Sequence, residues 1–432
     1  MKKNTLSKLT GSLFLAVLII ITGSCHRTKE TVLPPPQIPV KIQKNIVEEI
    51  KAEEAVVQEN WLDVPAIKDA YKDYFDYFGF AVPETQLSND SIMKGISYQA
   101  SCFTCENECK PDFIFNWAGP GTLTDFRAED GKTYEVPSTL SGFTRLDKIL
   151  NIAKKYGMKM RGHVLVWHNQ TPTWFFRENY SADGAFVDKA TMTARQEWYI
   201  KSVLEFVHQW EKENNDNKRI ILTWDVVNEA CTDGGWTDNP MRTESPWFKI
   251  YGDDTFIVNA FRFANRYAPA DVKLAYNDYS CYAPNKTKAI CRVVQDIQAD
   301  RNARIDVVGM QSHVSMSYPT LADYEKAVQA FLALGVDVQV TEMEIAFGGR
   351  LATQKDLAKL YANYFNLFLK YRKLPGQHGI SGVTLWGTKD EVSWIRNNAD
   401  ASNKVQRPLL FEKEYECKPA FWSVLETAQN YK

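Results

Sequence analysis

Two glutamates in this sequence follow directly on apolar runs, a position that suggests acid/base chemistry. Glu229 comes after the run 220–227 and Asn228, and Glu342 comes after the run 336–341. Either glutamate alone is a weak indication of catalysis, because a carboxylate after a strand is most often a solvated loop residue. Two carboxylates in one cleft, however, suit acid/base and nucleophilic chemistry at a glycosidic bond. The fold must therefore bring the two side chains together.

Three of the six histidines lie at the ends of other apolar runs. His163 and His168 fall in the segment 161–170, and His313 closes the segment 308–313. Any single one of them is most simply a core histidine whose ring is satisfied by a backbone carbonyl, and His168 fits that alternative best. Together with the two glutamates, the three histidines indicate a polar site at the ends of several strands.

Short β-branched runs alternate with helical periodicity along most of the chain. The apolar positions of 146–153 and 200–207 have helical spacing. The first set follows Thr144 and Asp147, which resemble a capping box, and we expect Gly157 to stop this helix. Between and beyond such helices we expect eight strands, near 79–82, 98–103, 158–167, 219–228, 272–277, 305–311, 336–342 and 380–387.

Eight strands separated by helices belong to the α/β class and favour a single (β/α)8 TIM barrel over an open doubly wound sheet. In such a barrel the working residues sit at the C-terminal ends of the strands. By this count Glu229 ends the fourth strand and Glu342 ends the seventh. The two carboxylates can then face each other across the mouth although they are far apart in sequence.

A set of ordered motifs ends the predicted strands. The motifs are, in chain order, 104–110, 161–170 with Pro172 and Trp174, 224–230, 276–279, 311–313, 341–345, 383–387 with Asp390, Ser393 and Trp394, and 408–411 with 418–420. From about Pro65 to the C-terminus, this set resembles glycoside hydrolase family 10, the endo-β-1,4-xylanases.

The resemblance implies a retaining endo-1,4-β-xylanase that acts on xylan and xylo-oligosaccharides and uses no cofactor and no metal. It assigns Glu342 as the nucleophile and Glu229 as the acid/base. It assigns Asn228 to the sugar 2-hydroxyl, and Gln311 and His313 to the orientation of Glu342. The other sugar-binding residues that it implies are Glu106, Asn107, Lys110, His163, Trp167, His168, Gln170, Trp386 and Trp394. Barrel-top packing is the alternative role for the last two tryptophans.

Three features depart from the family pattern. Cys109 stands where the family usually has Met, and Met343 and Glu344 stand where a Leu-Asp pair is usual. The tract 111–143 is longer than the usual connection. This tract could reshape the distal sugar subsites, or it could equally be an inert surface loop.

Seven of the eight cysteines lie after Cys25, and an odd number in an exported protein leaves at least one thiol unpaired. Cys281 and Cys291 are a plausible bridge. The cluster 102–109 holds three cysteines, but no fourth cysteine or nearby histidine completes a structural zinc set. We therefore predict no metal there.

The first segment of the chain reads as a targeting signal. Three lysines precede the apolar run 13–21, and small residues then lead to Cys25. This layout resembles a bacterial lipoprotein signal peptide over 1–24, with Cys25 acylated as the new N-terminus; an ordinary secretory signal is the alternative. The polar, proline-containing segment 25–60 is expected to be a flexible tether, and 61–432 the catalytic domain. We expect an exported, membrane-anchored lipoprotein at the periplasm or cell surface.

Composition limits the partners. Of 432 residues, 44% are hydrophobic and 24% charged, the balance of a globular protein. The net charge is −2, which gives little electrostatic support for a nucleic-acid ligand. The 13% of aromatic residues suits a sugar-like partner.

Two alternatives to the endo-xylanase remain. One is a retaining β-1,4-glucanase, and the other is a surface lipoprotein that binds glycan without cutting it. The sequence leaves the oligomeric state open.

Overall fold

The computed structural model describes residues 59–115, 119–232, 240–347, 353–397 and 406–431. The predicted signal peptide, Cys25 and nearly all of the tether lie outside these residues. Within them the strands, numbered in chain order, are β1 (Tyr77–Val82), β2 (Cys102–Cys105), β3 (Leu123–Arg127), β4 (Thr133–Pro137), β5 (Lys159–Trp167), β6 (Ile221–Asn228), β7 (Lys273–Asp278), β8 (Val307–Met310), β9 (His313–Ser315), β10 (Asp337–Ala346) and β11 (Ile380–Leu385).

Eight of these strands close into a parallel barrel in the order β1, β2, β5, β6, β7, β8, β10, β11. The barrel closes where β11 pairs with β1, with Gly382 opposite Tyr77. This arrangement confirms the predicted (β/α)8 barrel. Glu229 directly follows the fourth barrel strand and Glu342 lies within the seventh, so both belong to the mouth at the C-terminal ends of the strands.

Helices surround the barrel and bury one face against it. They are α1 (Ile67–Tyr71), α2 (Glu84–Leu87), α3 (Asp90–Gln99), α4 (Pro111–Phe115), α5 (Phe143–Lys155), α6 (Lys189–Asn214), α7 (Pro246–Tyr251), α8 (Thr255–Tyr267), α9 (Pro284–Ala299), α10 (Leu321–Leu332), α11 (Gln354–Lys370), α12 (Trp394–Asn397) and α13 (Pro419–Asn430). In α11 the buried positions Leu357, Tyr361, Phe365 and Phe368 recur every three or four residues, the spacing of an amphipathic helix on a core. No helix in the described part of the chain is both long and apolar enough to cross a bilayer.

The start of α5 differs from the prediction. Its N-cap is Gly142, which makes no side-chain cap, and Thr144 lies inside the first turn; the expected capping box is wrong. A Cβ at Gly142 would come within 2.2 Å of the Phe113 carbonyl oxygen, so close packing on α4 sets where this helix begins. Gly157, with φ 63°, ends the helix as expected.

Two strand boundaries differ from the prediction by four residues. The expected strand over 98–103 begins only at Cys102, because α3 continues to Gln99. The Gln99 amide is buried and hydrogen-bonds the chain before β1, accepting from Ile67 N at 3.0 Å. The seventh barrel strand runs on to Ala346 because the short strand β9 pairs with its last residues. Sequence periodicity missed β9.

The long tract between β2 and α5 contains a hairpin, β3–β4, that the sequence did not predict. Its turn residue Glu129 bonds to two outer helices. The Glu129 backbone N–H donates to Glu197 on α6 at 2.7 Å, and the Glu129 carboxylate pairs with Arg262 on α8 at 3.2 Å. The hairpin therefore rests on the helical ring of the barrel.

The cysteines after Cys25 are free thiols in the described residues, so the expected Cys281–Cys291 bridge is wrong. Cys281 is buried in the loop after β7, where its thiol donates to the Asp278 carbonyl at 2.9 Å. Cys291 lies in the body of α9 and is half-buried. Among the described residues no group of three or more His, Cys, Asp or Glu side chains is arranged to hold a metal ion.

Candidate active site

Glu229 is held at the mouth by three donors. Its backbone has φ 55°, a left-handed conformation that turns the chain out of β6. Trp167 Nε1 donates to one carboxylate oxygen at 3.0 Å. Gln311 Nε2 and Asn228 Nδ2 donate to the other at 2.9 and 3.1 Å. Burial raises the pKa of Glu229, and the nearby Asp278 and Glu342 charges add to the rise. A proton is therefore retained on this carboxyl more readily than on a solvated one.

Glu342 has the opposite electrostatic setting. Its side chain is 4% exposed, and burial alone would favour the neutral form. Asn277 Nδ2 donates to one oxygen at 2.8 Å and His313 Nε2 faces the other at 3.2 Å. These interactions outweigh burial and lower the pKa of Glu342 below its ordinary value. The mouth thus holds one carboxyl biased to stay ionised and one biased to stay protonated.

His313 sits between two carboxylates. Its Nδ1 lies 2.7 Å from Glu344 Oε1, while its Nε2 faces Glu342. Both nitrogens therefore carry protons, and the ring is an imidazolium. Burial opposes this charge, but the hydrogen bonds to Glu342 and Glu344 raise the pKa of His313 to about 10. The sequence singled out Glu344 only as a departure from a motif; the structure makes it the partner of His313.

Two asparagines connect the carboxyls. Asn277 Nδ2 donates to Asn228 Oδ1 at 2.9 Å as well as to Glu342, and Thr341 Oγ1 donates to Asn277 Oδ1 at 2.7 Å. A Cβ at Gly309 would lie 2.4 Å from Asn277 Oδ1, so glycine makes room for this amide. Sequence reasoning placed Asn277 in a motif but gave it no role. Its position at the end of the fifth barrel strand was the available signal.

Gln311 differs from its expected role. The resemblance assigned it to the orientation of Glu342, but its amide donates to Glu229 and to Asn228 Oδ1. That assignment is wrong in this structure. Gln311 follows β8, and its side chain reaches past β7 to the residues at the end of β6. Of the two residues expected to orient Glu342, His313 does so.

A polar cluster lies at the ends of β2 and β5. Lys110 Nζ donates to Asn107 Oδ1 and to Gln170 Oε1, both at 3.1 Å. Gln170 Nε2 also donates to Asn107 at 3.2 Å. The Lys110 ammonium lies 5.0 Å from the centre of the Trp167 ring, a cation–π contact. The structure thus brings together four of the residues expected to bind sugar, on one side of the carboxyls.

The charges of this cluster are tuned by burial. Lys110 is 6% exposed; burial lowers its pKa, and nearby carboxylates, Glu342 first among them, oppose the fall. Burial and the Glu108 charge raise the pKa of Glu106 to about 7. Glu106 therefore gains or loses its proton near neutrality and can donate to or accept from a sugar hydroxyl.

Four rings pack against one another at the mouth, namely those of Trp386, Trp394, His163 and His313. Trp386 packs edge-on to His163, with ring centres 5.6 Å apart, and to His313 at 6.3 Å. Trp394 packs edge-on to His313 at 5.6 Å. Asp225 Oδ2 lies 2.9 Å from His163 Nδ1 and fixes that ring. Trp386 and Trp394 are both half-buried, so each presents part of its surface to the mouth.

His168 stands apart from these groups. Its ring packs edge-on to Trp167, with centres 5.8 Å apart. Together with Glu229, Arg242 and Ser245 it lines a recess beside the acidic pair. The sugar-binding role expected for His168 stays a prediction.

A sequence model of a known family matches most of the chain. The model is that of "Glycosyl hydrolase family 10", and it covers residues 66–427. The chain belongs to glycosyl hydrolase family 10. Both acidic residues and all the groups described above fall within the matched range.

Curated relatives of this family 10 chain carry matching names. It is 35% identical over 366 residues to the bifunctional endo-1,4-β-xylanase XylA of Ruminococcus flavefaciens, covering 84% of this chain and 34% of that protein. It is 33% identical over 363 residues to endo-1,4-β-xylanase B of Butyrivibrio fibrisolvens, covering 84% of this chain and 53% of that protein. The chain therefore spans about a third to a half of the length of these two relatives.

Solved structures agree with the barrel. The family 10 chain aligns with TsXylA, an intracellular xylanase from Thermoanaerobacterium saccharolyticum crystallised as a mutant in complex with xylotriose, at a TM-score of 0.68 and 29% identity, covering 84% of this chain and 98% of that one. It aligns equally with the Clostridium thermocellum Xyn10B CBM22-1–GH10 modules complexed with xylohexaose, at 0.68 and 29%, covering 86% and 69%.

Proposed function

We propose that this chain is a retaining endo-1,4-β-xylanase with Glu342 as the nucleophile and Glu229 as the acid/base. The observation that carries the proposal is the opposite bias of the two carboxyls. The His313 hydrogen bond favours ionised Glu342, whereas burial favours protonated Glu229. Two carboxyls whose surroundings push their pKa values apart are the acid/base arrangement that glycosidic chemistry requires.

In the first step a Glu342 oxygen attacks the anomeric carbon and forms a glycosyl ester. Glu229 gives its proton to the glycosidic oxygen, so the sugar chain leaves as a neutral alcohol. Asn277 and His313 already donate to Glu342 and fix the direction from which it attacks. Asn228 accepts from Asn277 through its oxygen and directs its NH₂ group toward Glu229. From there the NH₂ group can also donate to the 2-hydroxyl of the sugar.

In the second step Glu229, now ionised, removes a proton from water. The water oxygen attacks the anomeric carbon, the ester bond to Glu342 breaks, and both carboxyls return to their starting states. Two displacements at one carbon retain its configuration. The Trp167 and Gln311 donors suit this step because they hydrogen-bond Glu229 in its anionic form.

The Lys110 cluster supplies the sites for sugars on the nucleophile's side of the scissile bond. Lys110 interacts more strongly with the Glu342 charge than with that of Glu229. Its ammonium, with Asn107 and Gln170, presents donors and acceptors suited to sugar hydroxyls. Xylan and xylo-oligosaccharides are the substrates, in keeping with the xylotriose and xylohexaose complexes of two solved relatives.

An activated 2-fluoro-xylobioside tests the nucleophile. We expect it to inactivate the protein and to label the peptide that contains Glu342. NMR of the first product of xylobioside hydrolysis should show the β configuration, as expected for carboxyls about 5–5.5 Å apart. A first product of inverted configuration would overturn the double-displacement assignment.

A comparison of xylose and glucose substrates separates the xylanase from a glucanase and from a glycan binder. Glucose carries a hydroxymethyl group that xylose lacks. The family resemblance puts Trp386 at the top of the sugar site, where its ring would exclude that group by a steric clash. We expect aryl xylobiosides to be cleaved faster than aryl cellobiosides and Trp386→Ala to narrow that ratio. Equal cleavage of both by the unaltered protein would favour the glucanase, and binding to insoluble xylan without release of reducing sugar would favour the binder.

We propose further that the protein is exported and anchored to a membrane through an acylated Cys25. The charged start, the apolar run 13–21 and the small residues before Cys25 support this. In a bacterial host the protein should partition into the detergent phase of Triton X-114, and Cys25→Ser should move it to the aqueous phase. If the unaltered protein is cleaved yet stays in the aqueous phase, the signal is an ordinary secretory one.

A further inference from the structure

An exposed aromatic ring stands on the rim of the barrel mouth, outside the groups described above. Tyr318 is 51% exposed and lies in the loop that follows β9. The other large apolar side chains that are exposed among the described residues are Leu62, Tyr98 and Leu374. Leu374 lies on the connection that enters β11, at the opposite end of the barrel from the mouth. Tyr318 follows a strand instead, at the end of the barrel where the mouth lies.

The ring of Tyr318 is held in place by its surroundings. Ser315 N donates to the Tyr318 carbonyl at 2.8 Å, and Tyr318 N donates to Ser315 Oγ at 3.1 Å. The ring meets Tyr282 edge-on, with centres 5.3 Å apart at 78°. Tyr282 is buried and donates its hydroxyl to the His313 carbonyl at 3.0 Å. Packing therefore connects Tyr318 to the His313 segment that touches the nucleophile.

The order of the strands places Tyr318 relative to the sugar-binding cluster. Lys110 follows the second barrel strand, and Tyr318 follows the sixth, together with its short extension β9. In a closed barrel of eight strands the second and the sixth lie across the mouth from each other. A substrate chain that starts at the Lys110 cluster and crosses the two carboxyls must leave over the loops after the fifth and sixth strands. Tyr282 and Tyr318 belong to those two loops.

We propose that Tyr318 forms a distal subsite for a xylosyl residue on the leaving-group side of the scissile bond. This proposal rests on the proposed xylanase function. A xylopyranose ring presents C–H groups on its faces and hydroxyls around its edge, so a flat, half-exposed ring with a polar tip is a suitable support for it. Because neighbouring contacts already fix the Tyr318 ring, little side-chain freedom is lost when a sugar binds.

The test compares two substrates that differ on the leaving-group side. Xylohexaose places xylose residues there, whereas an aryl xylobioside places only its aryl group. We expect Tyr318→Leu, which keeps an apolar side chain against Tyr282 but has no flat face, to lower kcat/KM on xylohexaose about fivefold. The aryl xylobioside should be cleaved at an unchanged rate. Tyr318→Phe should keep nearly full activity on both.

Two further readouts complete the experiment. Xylohexaose labelled at its reducing end should be cut at a different bond by the Leu variant, because sugars on the leaving-group side hold it less well. Leu374→Ala, which changes an exposed side chain at the other end of the barrel, should alter neither rate nor product. An equal fall on both substrates, or no fall on xylohexaose, would overturn the subsite. If the unaltered protein cleaves neither substrate, the proposed function itself is wrong and the subsite falls with it.

Discussion

The indole of Trp394 donates to Glu344, with 2.5 Å between Nε1 and Oε1. The same carboxylate oxygen lies 2.7 Å from His313 Nδ1. Glu344 is two residues beyond Glu342 on β10, so both side chains lie on the same face of the strand. Trp394 and Glu342 are therefore connected through a single carboxylate and one imidazolium.

Glu344→Gln should weaken the interaction of His313 with Glu342. The change removes a negative charge from beside His313, so the pKa of His313 should fall below its value of about 10. We expect kcat/KM on xylan to fall about tenfold to hundredfold, the size of one charged hydrogen bond. Nitrogen NMR of the His313 ring measures the pKa directly. Glu344→Asp keeps the charge and should restore most of the activity.

Trp394→Phe changes the donor of the hydrogen bond between Trp394 and Glu344. It keeps an aromatic ring but removes the indole N–H. If the two residues act through one contact, the loss in the double variant with Glu344→Gln should be smaller than the sum of the single losses. If the activity losses of the two single variants are strictly additive and the pKa of His313 is unchanged in Glu344→Gln, Glu344 is not a positioning residue.

The loss of activity in Glu229→Ala should depend on the leaving group of the substrate. Xylan needs a proton on its leaving oxygen, so we expect a loss of roughly 10²- to 10⁴-fold. Aryl xylobiosides with good leaving groups need little protonation, and their first step should survive. Azide, which attacks without a base, should rescue turnover. The raised pKa of Glu229 predicts a bell-shaped pH profile whose alkaline limb disappears in the variant.

Equal loss on xylan and on the activated substrates, without azide rescue, would contradict this assignment. Glu229→Gln serves as the matched control, because it keeps the size of the side chain and differs in having no proton to exchange. It should resemble Glu229→Ala on xylan.

The sequence was sufficient to predict the barrel and the two carboxyls at its mouth. It was insufficient to predict the side chains that hydrogen-bond the carboxylates of the site. Glu229 follows the mostly apolar run 220–227, and Glu342 follows 336–341, in which apolar and polar residues alternate. Such patterns are a local property of the chain. Glu344 meets Trp394 from 50 positions away, and Asn277 meets Glu342 from 65. Such contacts depend on strand order and on small residues such as Gly309, which no local pattern reports.

The missed elements have the same kind of cause. Half of the strand residues of the hairpin β3–β4 are exposed, and polar and apolar residues alternate in β4 but not in β3, so its pairing leaves a weak signal in the sequence. The start of α5 depends on contact between Gly142 and α4. A capping pattern at Thr144 could not reveal that contact, because it involves residues far from the helix start.

Asn277→Ala should change the acid limb of the pH profile. The Asn277 amide is one of the donors that, with His313, keep the pKa of Glu342 low against the effect of burial. Its removal should raise that pKa, so kcat/KM should begin to fall at a higher pH as the solution is acidified. We expect kcat at the optimum to fall about tenfold. The full pH profile of kcat/KM on an aryl xylobioside is the measurement.

Thr341→Val is the control for this change. It removes the hydroxyl that donates to Asn277 Oδ1 but leaves the donor to Glu342 in place. Its acid limb should stay close to that of the unaltered protein. An acid limb that moves as far in Thr341→Val as in Asn277→Ala would show that packing, rather than the donor, sets the pKa of Glu342.

Asp225→Asn should destabilise the fold as well as the site. Arg161 and Asp225 are both 0% exposed and form a two-pronged ion pair inside the barrel, at 2.5 and 3.1 Å. Asp225 also faces His163 Nδ1 at 2.9 Å. Neutralising the carboxylate leaves Arg161 as an uncompensated buried charge, which is expected to cost about 3–5 kcal/mol. Urea unfolding followed by tryptophan fluorescence measures the loss.

The pH dependence gives an independent check on this pair. Burial opposes ionisation of Asp225, but the Arg161 charge outweighs it and lowers the pKa of Asp225 in the folded protein. A lowered pKa contributes stability that is present above the unfolded value of about 4 and is lost as the pH falls through the folded value. Asp225→Asn should therefore lose less stability on acidification than the unaltered protein.

The control is Lys326→Ala, which breaks the exposed pair with Asp323 and should leave the urea midpoint unchanged. Equal midpoints for Asp225→Asn and Lys326→Ala would show that the buried pair does not stabilise the barrel.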